Sequence, residues 1–191
     1  MYLPALIIGG VIFFAAHLFS TFRKRGEGDV KARMGYRPFM GLFTLASLVG
    51  LALFAWGWAN MRPWPQMWNP PDWTRHIPQT VMPVAMILLV SAYTPVGFIR
   101  KTVKHPMLLA VKVWAVAHLC ANGDLGAIVL FGSFLLYAVI DRIALARRGD
   151  NGPAGVKPSF MGDMMAITAG LAAYMVIVFW LHPLIVGVAV F

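Results

Sequence analysis

The chain has 191 residues, of which 60% are hydrophobic and only 12% are charged, and its mean hydropathy is +0.73. Soluble domains carry about 25% charged residues, so the composition excludes an ordinary soluble protein. The formal net charge of +9 does not indicate a nucleic-acid partner, because the lysines and arginines cluster in short segments between apolar runs. We therefore predict a single all-α membrane domain over residues 1–191, a helical bundle in contact with the lipid bilayer.

Six apolar segments are predicted to span the membrane, since about 20 helical residues cross a bilayer core of about 30 Å. They lie at residues 2–21, 38–59, 80–99, 106–121, 124–146 and 164–190. Pro38 suits the first turn of the second segment. In the third we expect Pro83 in the first turn and a kink at Pro95 near the end. Asp124 is the expected N-cap of the fifth.

The loops between these segments differ in charge. The first, third and fifth hold nearly all the lysines and arginines, whereas the second and fourth hold only Arg62 and Arg75. The positive-inside rule then places the odd loops in the cytoplasm and both termini in the periplasm, as in a multi-pass protein of a bacterial inner membrane. The second loop, residues 60–79, is dense in proline and tryptophan. We expect an aromatic belt at the headgroups, with a lid over a pocket as the alternative.

One hairpin stands out within residues 105–148, because two apolar helices are joined only by the turn at 122–124. Its first helix contains Lys112 and His118, and ionisable groups in so apolar a segment are costly to bury and usually mark function. Cys120 is the single cysteine and cannot form an internal disulfide, so we expect it to be a packing residue.

Histidine is the main candidate for chemistry, since no motif of a hydrolase, nucleotide-binding protein or zinc peptidase is present. Helical spacing places Ala115 and Trp114 beside His118. A small neighbour leaves room for a planar ligand, and neutral imidazole is a common axial ligand of haem iron. We predict that Trp114 and Lys112 also contribute to a cofactor site.

His17 lies near the end of the first segment in a similar setting, with two glycines before it and Phe13 and Phe14 beside it. Two histidines on different membrane helices meet the needs of a bis-histidyl haem b. The alternative is that each imidazole only hydrogen-bonds a neighbouring helix. Lys112 is expected either to pair with a haem propionate or with Asp141, or to snorkel to the cytoplasmic interface.

The run HPMLLAVKVWAVAHLCANGDLGAIVLFGSFLLYAVIDRI, residues 105–143, closely resembles the NnrU family of bacterial membrane proteins. The late histidine of the first segment and the sequence GYRP at residues 35–38 also fit that family. The family is associated with gene clusters for denitrification and nitric oxide metabolism. The resemblance extends to zeta-carotene isomerase, a plant and cyanobacterial membrane enzyme that uses haem b to isomerise a cis double bond.

The resemblance implies haem b with His17 and His118 as axial ligands. The isomerase has a cysteine three residues before its second histidine, where this chain has Ala115, and Cys120 lies on another face of the helix. A ligand-switching step is therefore not implied here. The topology puts His17 and His118 at depths that differ by about 10 Å, so His105 is the reserve ligand.

Three functions follow from these patterns. The first is a haem b isomerase that acts on a bound hydrophobic polyene through a transient redox change. The second is a non-catalytic accessory protein of denitrification that serves a membrane redox partner. The third is a methyltransferase, because the hairpin distantly resembles the isoprenylcysteine type, but Arg142 lacks the acidic residues that follow it in those enzymes. His76 and His182 are not expected to be needed for any of them.

Overall fold

A computed structural model describes residues 2–26 and 28–191, which form α-helices joined by loops, with no β-strand in this part of the chain. The all-α class predicted from the composition is confirmed. The chain forms two compact units, residues 1–64 and residues 65–191. The single domain over residues 1–191 stays a prediction.

The first unit contains α1 (Tyr2–Phe22), α2 (Val30–Met34) and α3 (Tyr36–Asn60). α1 and α3 agree with the first two predicted segments to within two residues at each end. Pro38 lies in the first turn of α3, where its missing N–H costs no helical hydrogen bond.

Glycines bring α1 and α3 into close antiparallel contact. A Cβ on Gly50 of α3 would lie 2.6 Å from the backbone nitrogen of Phe13 and 3.0 Å from the carbonyl oxygen of Gly9. A Cβ on Gly57 would lie 2.5 Å from the backbone nitrogen of Leu6. Small residues at such positions let two membrane helices approach backbone to backbone, where van der Waals contact replaces a hydrophobic driving force.

The basic linker between α1 and α3 contains an ordered turn that the sequence pattern did not predict. Arg23 donates to the Asp29 carboxylate, and the guanidinium lies 5.4 Å from the centre of the Phe39 ring. Asp29 also accepts from the backbone N–H of Lys31 at 3.0 Å and so caps α2. The hydrogen bond from Arg23 holds the pKa of the Asp29 carboxyl below its ordinary value, and the Lys31 N–H acts in the same direction.

Replacing Asp29 with asparagine is expected to loosen this linker. A lowered carboxyl pKa contributes stability above the ordinary pKa of about 3.9 and loses it as the pH falls through the lowered value. The pair is therefore intact at pH 7, and wild type should resemble the variant only well below pH 4. Hydrogen exchange of peptides covering residues 23–34, corrected for intrinsic rates, should be several-fold faster in Asp29→Asn at pH 7. Asp72→Asn is the control, and equal exchange in Asp29→Asn and wild type would contradict this account.

The second unit contains six α-helices. They are α4 (His76–Ser91), α5 (Phe98–Val103), α6 (Pro106–Ala121), α7 (Leu125–Arg147), α8 (Phe160–Val176) and α9 (His182–Val186). A 3-10 turn, Asp72–Arg75, precedes α4, and a π-helical turn, Ile177–Leu181, joins α8 to α9. α4 packs against α6 and α8, and α6 also packs against α7.

In the described part of the chain, four helices have the length and apolarity of membrane spans. They are Tyr2–Phe22, Tyr36–Asn60, Leu125–Arg147 and the continuous segment Phe160–Val186, with mean hydropathies of 2.0 to 2.1. The other two predicted spans correspond to α4 and α6, which have 16 residues each. A helix of that length extends about 24 Å and is shorter than the bilayer core, so helix length alone supports four spans rather than six.

The predicted bounds of the third segment, residues 80–99, were wrong at both ends. α4 begins at His76 and ends at Ser91, so Pro83 lies inside the helix and Pro95 follows the helix instead of kinking it. A residue that precedes proline is disfavoured in the α conformation, which suits Thr94 to the loop. The sixth segment begins at Phe160, four residues earlier than predicted.

Two aspartates fix helix starts in the second unit. Asp124 caps α7 by accepting from the backbone N–H of Ala127 at 2.9 Å, as predicted from the sequence. Asp163, in the first turn of α8, accepts from the backbone N–H groups of Phe98 at 2.8 Å and Ile99 at 3.0 Å. This second carboxylate satisfies two free N–H groups at the start of α5 and ties that short helix to α8.

Candidate functional site

His118 lies one turn before the end of α6 and is half-buried. Its Nδ1 donates to the Trp114 carbonyl at 2.8 Å, and its ring stacks on Phe131 of α7, with centroids 4.7 Å apart and planes at 27°. The backbone N–H and the side-chain amide of Asn122 both donate to the His118 carbonyl at 2.9 Å. The imidazole is therefore held from both sides, by its own helix and by α7.

Trp114 lies beside His118, as the spacing predicted, and connects it to an aromatic cluster. Its ring centroid lies 5.7 Å from that of His118, 4.8 Å from that of Phe131 and 5.6 Å from that of Phe134. The two phenylalanines meet the indole edge to face, an arrangement that aromatic pairs favour. The indole therefore has little freedom to turn.

Ala115 does not leave the room that the sequence pattern predicted. Its side chain is fully buried and packs with Ala127 and Phe131 in the core of the second unit. The small residue lets α7 approach α6 closely, so the space beside Ala115 is occupied by α7. A planar ligand of His118 must approach from another side.

The turn between α6 and α7 is held by the proline- and tryptophan-rich loop. The backbone N–H groups of Met67 and Trp68 donate to the Gly123 carbonyl at 2.8 and 3.1 Å, and the Leu125 N–H donates to the Pro65 carbonyl at 2.9 Å. We call this arrangement of residues 65–68 on residues 123–125 the clasp. It fixes the end of the helix that carries His118.

His17 of α1 repeats the arrangement seen at His118. Its Nδ1 donates to the Phe13 carbonyl at 2.8 Å. Its ring stacks on that of Phe13, at 4.1 Å and 29°, and lies 5.0 Å from that of Phe43. Gly10 does not open a ligand space, because a Cβ there would lie 3.2 Å from the Phe54 ring. As at Ala115, the small residue serves helix packing.

Both histidines have the tautomer that a metal ligand requires. A backbone carbonyl only accepts hydrogen bonds, so the Nδ1 of His17 and of His118 carries a proton, and in the neutral imidazole the lone pair lies on Nε2. Metal-binding histidines usually donate the other ring N–H in this way, which orients the ring and raises its basicity. The chemistry of both donors therefore fits haem iron.

His105 lies in a different setting. Lys104, just before it, has φ 68° and ψ −54°, and the His105 N–H donates to the Val103 carbonyl at 2.8 Å, which makes a strained classic γ-turn. The His105 Nε2 lies 3.2 Å from the carbonyl oxygen of Asp150 and 3.6 Å from its carboxylate. The Nε2 atom of His105, the reserve ligand, therefore faces the loop between α7 and α8.

Lys112 is half-buried and makes no hydrogen bond or ion pair with another residue in the described part of the chain. Its pairing with a haem propionate and its snorkelling to the interface both stay predictions. The other two histidines make local contacts. His76 Nδ1 lies 2.7 Å from the Gln79 side-chain oxygen, and His182 Nδ1 donates to the Val188 carbonyl at 2.8 Å.

An apolar cavity of about 200 Å³ lies between α4 and α6. It is lined by Met82, Ala85, Met86, Leu89, Ala110, Val111 and Trp114. Elsewhere in residues 2–26 and 28–191, no three histidine, cysteine, aspartate or glutamate side chains come together as they would around a metal ion. A haem needs only axial ligands, so its donors need not form such a group.

The sequence pattern missed Phe131, Phe43 and the clasp. Phe131 and Phe43 belong to helices other than those of the histidines they contact, and helical spacing reports neighbours on one helix only. The clasp joins backbone groups 55 to 60 residues apart in the chain, and backbone pairing of that kind has no residue signature.

The long apolar helices and the all-α fold define a protein of the membrane-spanning type. The profile of the family described as NnrU protein matches residues 5–190. The chain belongs to the NnrU family, which confirms the resemblance seen in the sequence. Comparison with curated proteins and with solved structures gave no match.

Proposed function

We propose that this NnrU-family protein binds haem b, with His17 and His118 as axial ligands, and acts on a cis double bond of a hydrophobic polyene. The observation that carries the proposal is the shared hydrogen bond from Nδ1 to the carbonyl four residues earlier, at 2.8 Å in both cases. In the neutral imidazole that bond places the lone pair on Nε2, the atom that would bind iron. The resemblance to zeta-carotene isomerase supplies the reaction class.

The chain's own residues would hold and insulate the cofactor. The Trp114 carbonyl and the Phe131 ring orient the His118 imidazole, Asn122 bonds the His118 backbone carbonyl, and the Trp114 ring adds an apolar wall on the same helix. Lys112 lies six residues before His118, closer to the cytoplasmic side, where a propionate could neutralise its charge. Haem iron supplies reversible one-electron chemistry when bound.

We also propose six membrane crossings in a bacterial inner membrane, with both termini in the periplasm. The lysines and arginines of the odd loops support this orientation. α4 and α6 would cross together with the non-helical residues that flank them, since protein-buried backbone at membrane depth need not be helical. The clasp would then lie on the periplasmic side.

The haem content of purified variants tests the proposal. Wild type, expressed with sufficient haem, should show a Soret band and about one haem per chain, with the low-spin spectrum of two histidine ligands. His118→Ala should lose most of the haem, or retain it with a changed spin state, and His17→Ala should do the same. His76→Ala is the matched control, because His76 is exposed and contacts Gln79.

Two results would overturn the proposal. The first is a wild-type protein without haem under these conditions, and the second is an unchanged spectrum in His118→Ala. Either result favours the alternative, a non-catalytic accessory protein of denitrification. In that case the two histidines would serve helix packing through their ring contacts with Phe43 of α3 and Phe131 of α7.

A further inference from the structure

The linker between α1 and α3 carries a surplus of positive charge. Residues 23–37 contain six lysines and arginines and only two acidic residues. One of the acidic residues, Asp29, is already paired with Arg23. Lys24, Arg33 and Arg37 are exposed, and their side chains make no ion pair within the described part of the chain. A surface with this charge attracts an anionic partner.

The Arg23–Asp29 pair gives this surface a defined shape. Both side chains of the pair are nearly buried. Because Asp29 caps α2, the residues Val30–Met34 form a helical turn on which Arg33 is exposed. The Nε of Arg23 has no acceptor in residues 2–26 and 28–191, so hydrogen-bond donors exceed acceptors even beneath this turn. The exposed cations therefore belong to an ordered segment.

Large apolar side chains lie among these cations. Phe22, the last residue of α1, is 64% exposed, and Tyr36, the first residue of α3, is 65% exposed. Val30 and Met34 lie one turn apart on α2 and are also exposed. The Nζ of Lys31 lies 4.6 Å from the centre of the Tyr36 ring. Such a mixture is typical of a segment in the bilayer interface, where apolar groups reach the acyl boundary and cations stay at the phosphates.

The position of the linker identifies its partner. α1 and α3 both have the length and apolarity of membrane spans, and the linker runs from the end of one to the start of the other. A short segment between two spans lies at the membrane surface, so its cations are at the level of the lipid headgroups. Clusters of about four to eight lysines and arginines beside a span are typical of anionic-lipid recognition.

We propose that residues 23–37 form a binding surface for anionic phospholipid, with Arg33 and Arg37 on the headgroup phosphate and Met34 and Tyr36 at the acyl boundary. Arginine suits this role, because its planar guanidinium donates two parallel hydrogen bonds to the oxygens of one phosphate. The inference goes beyond the proposed function and does not depend on haem.

Native mass spectrometry of the full chain in a non-ionic detergent tests the surface. The probes are phosphatidylglycerol, which is anionic, and phosphatidylcholine, which is zwitterionic, with the same acyl chains. Wild type should bind phosphatidylglycerol more tightly, and the preference should fall as the salt concentration rises. The double variant Arg33→Gln/Arg37→Gln should bind phosphatidylglycerol about fivefold more weakly for each arginine removed. Its binding of phosphatidylcholine should not change.

Two further variants serve as controls. Arg62→Gln/Arg75→Gln removes the same charge from exposed arginines in the loop of residues 60–79, and it should bind phosphatidylglycerol as wild type does. Arg33→Lys/Arg37→Lys keeps the charge and should retain most of the binding. Equal binding of the two lipids by wild type would overturn the surface. So would equal weakening in the two glutamine variants, or equal weakening in the lysine and glutamine variants of residues 33 and 37.

Competition with inorganic phosphate separates a lipid from a free anion. Phosphate lacks acyl chains, so it cannot gain from the apolar contacts of Met34 and Tyr36. At equal ionic strength, sodium phosphate and sodium chloride should therefore displace phosphatidylglycerol equally. Stronger displacement by phosphate would identify a site for the free anion and overturn phospholipid as the partner.

Discussion

Replacing Gly123 with alanine is expected to destabilise the second unit strongly. The new Cβ would overlap the carbonyl of Trp68, which belongs to backbone and cannot swing aside. The clasp must then open, and the hydrogen bonds from Met67 and Trp68 to the Gly123 carbonyl are lost. We expect the free energy of unfolding to fall by about 3 kcal/mol, at the upper end of the cost of overpacking. Thermal unfolding in detergent measures the change.

Gly132→Ala is the matched control for this variant. Gly132 lies in α7, and beyond its chain neighbours and its own helix backbone a Cβ there would have no atom within 4 Å. Because alanine favours the helix over glycine by up to about 1 kcal/mol, this variant should be as stable as wild type or more so. Since Asn122 of the same turn bonds the backbone carbonyl of His118, Gly123→Ala should also release haem more readily than the control. Equal stability of Gly123→Ala and wild type would show that the loop does not hold the turn.

Gly50→Ala is expected to force α1 and α3 apart. The added Cβ would lie 2.6 Å from the backbone nitrogen of Phe13 and 3.0 Å from the carbonyl oxygen of Gly9, so a helix must move. We expect a loss of about 1–3 kcal/mol in the free energy of unfolding of the first unit. The position of the His17 ring should change with this movement, because the ring lies between Phe13 of its own helix and Phe43 of α3.

Gly41→Ala separates this steric effect from helix propensity. Gly41 is also in α3, and beyond its chain neighbours and its own helix backbone a Cβ there would have no atom within 4 Å. The control should therefore be as stable as wild type, as judged by thermal unfolding of the full chain. If Gly41→Ala and Gly50→Ala unfold at the same temperature, the two helices are not held in backbone contact at Gly50.

Features that depend on neighbours in the sequence were predicted well. The bounds of α6 at Pro106 and Ala121, the N-cap at Asp124 and the early proline of α3 agree with the structure. Each follows from apolar length, proline geometry or a side chain that bonds its own helix end, and none needs a distant partner. The ends of α4 were wrong, because apolar residues continue past Ser91 into a loop that precedes Pro95.

The candidate site shows the same division. His17, His118 and Trp114 were predicted as site residues from the sequence, because a polar or bulky residue within an apolar helix can be recognised without knowing the tertiary structure. The sequence could not show that α7 covers Ala115, because a small residue can leave space either for a ligand or for the close approach of another helix. Haem ligation by the two histidines stays a prediction, and the spectra described above decide it.

The sequence by itself determined the helical class, the family and the identity of the ionisable groups in the apolar helices, since these follow from composition and local spacing. Only the tertiary structure decided which faces meet. It placed Phe131 on His118, residues 65–68 on Gly123, and Asp163 at the start of α5. The physical reason is that apolar surface and backbone hydrogen bonds are nearly non-specific in sequence, so their partners are selected by the packing of whole helices.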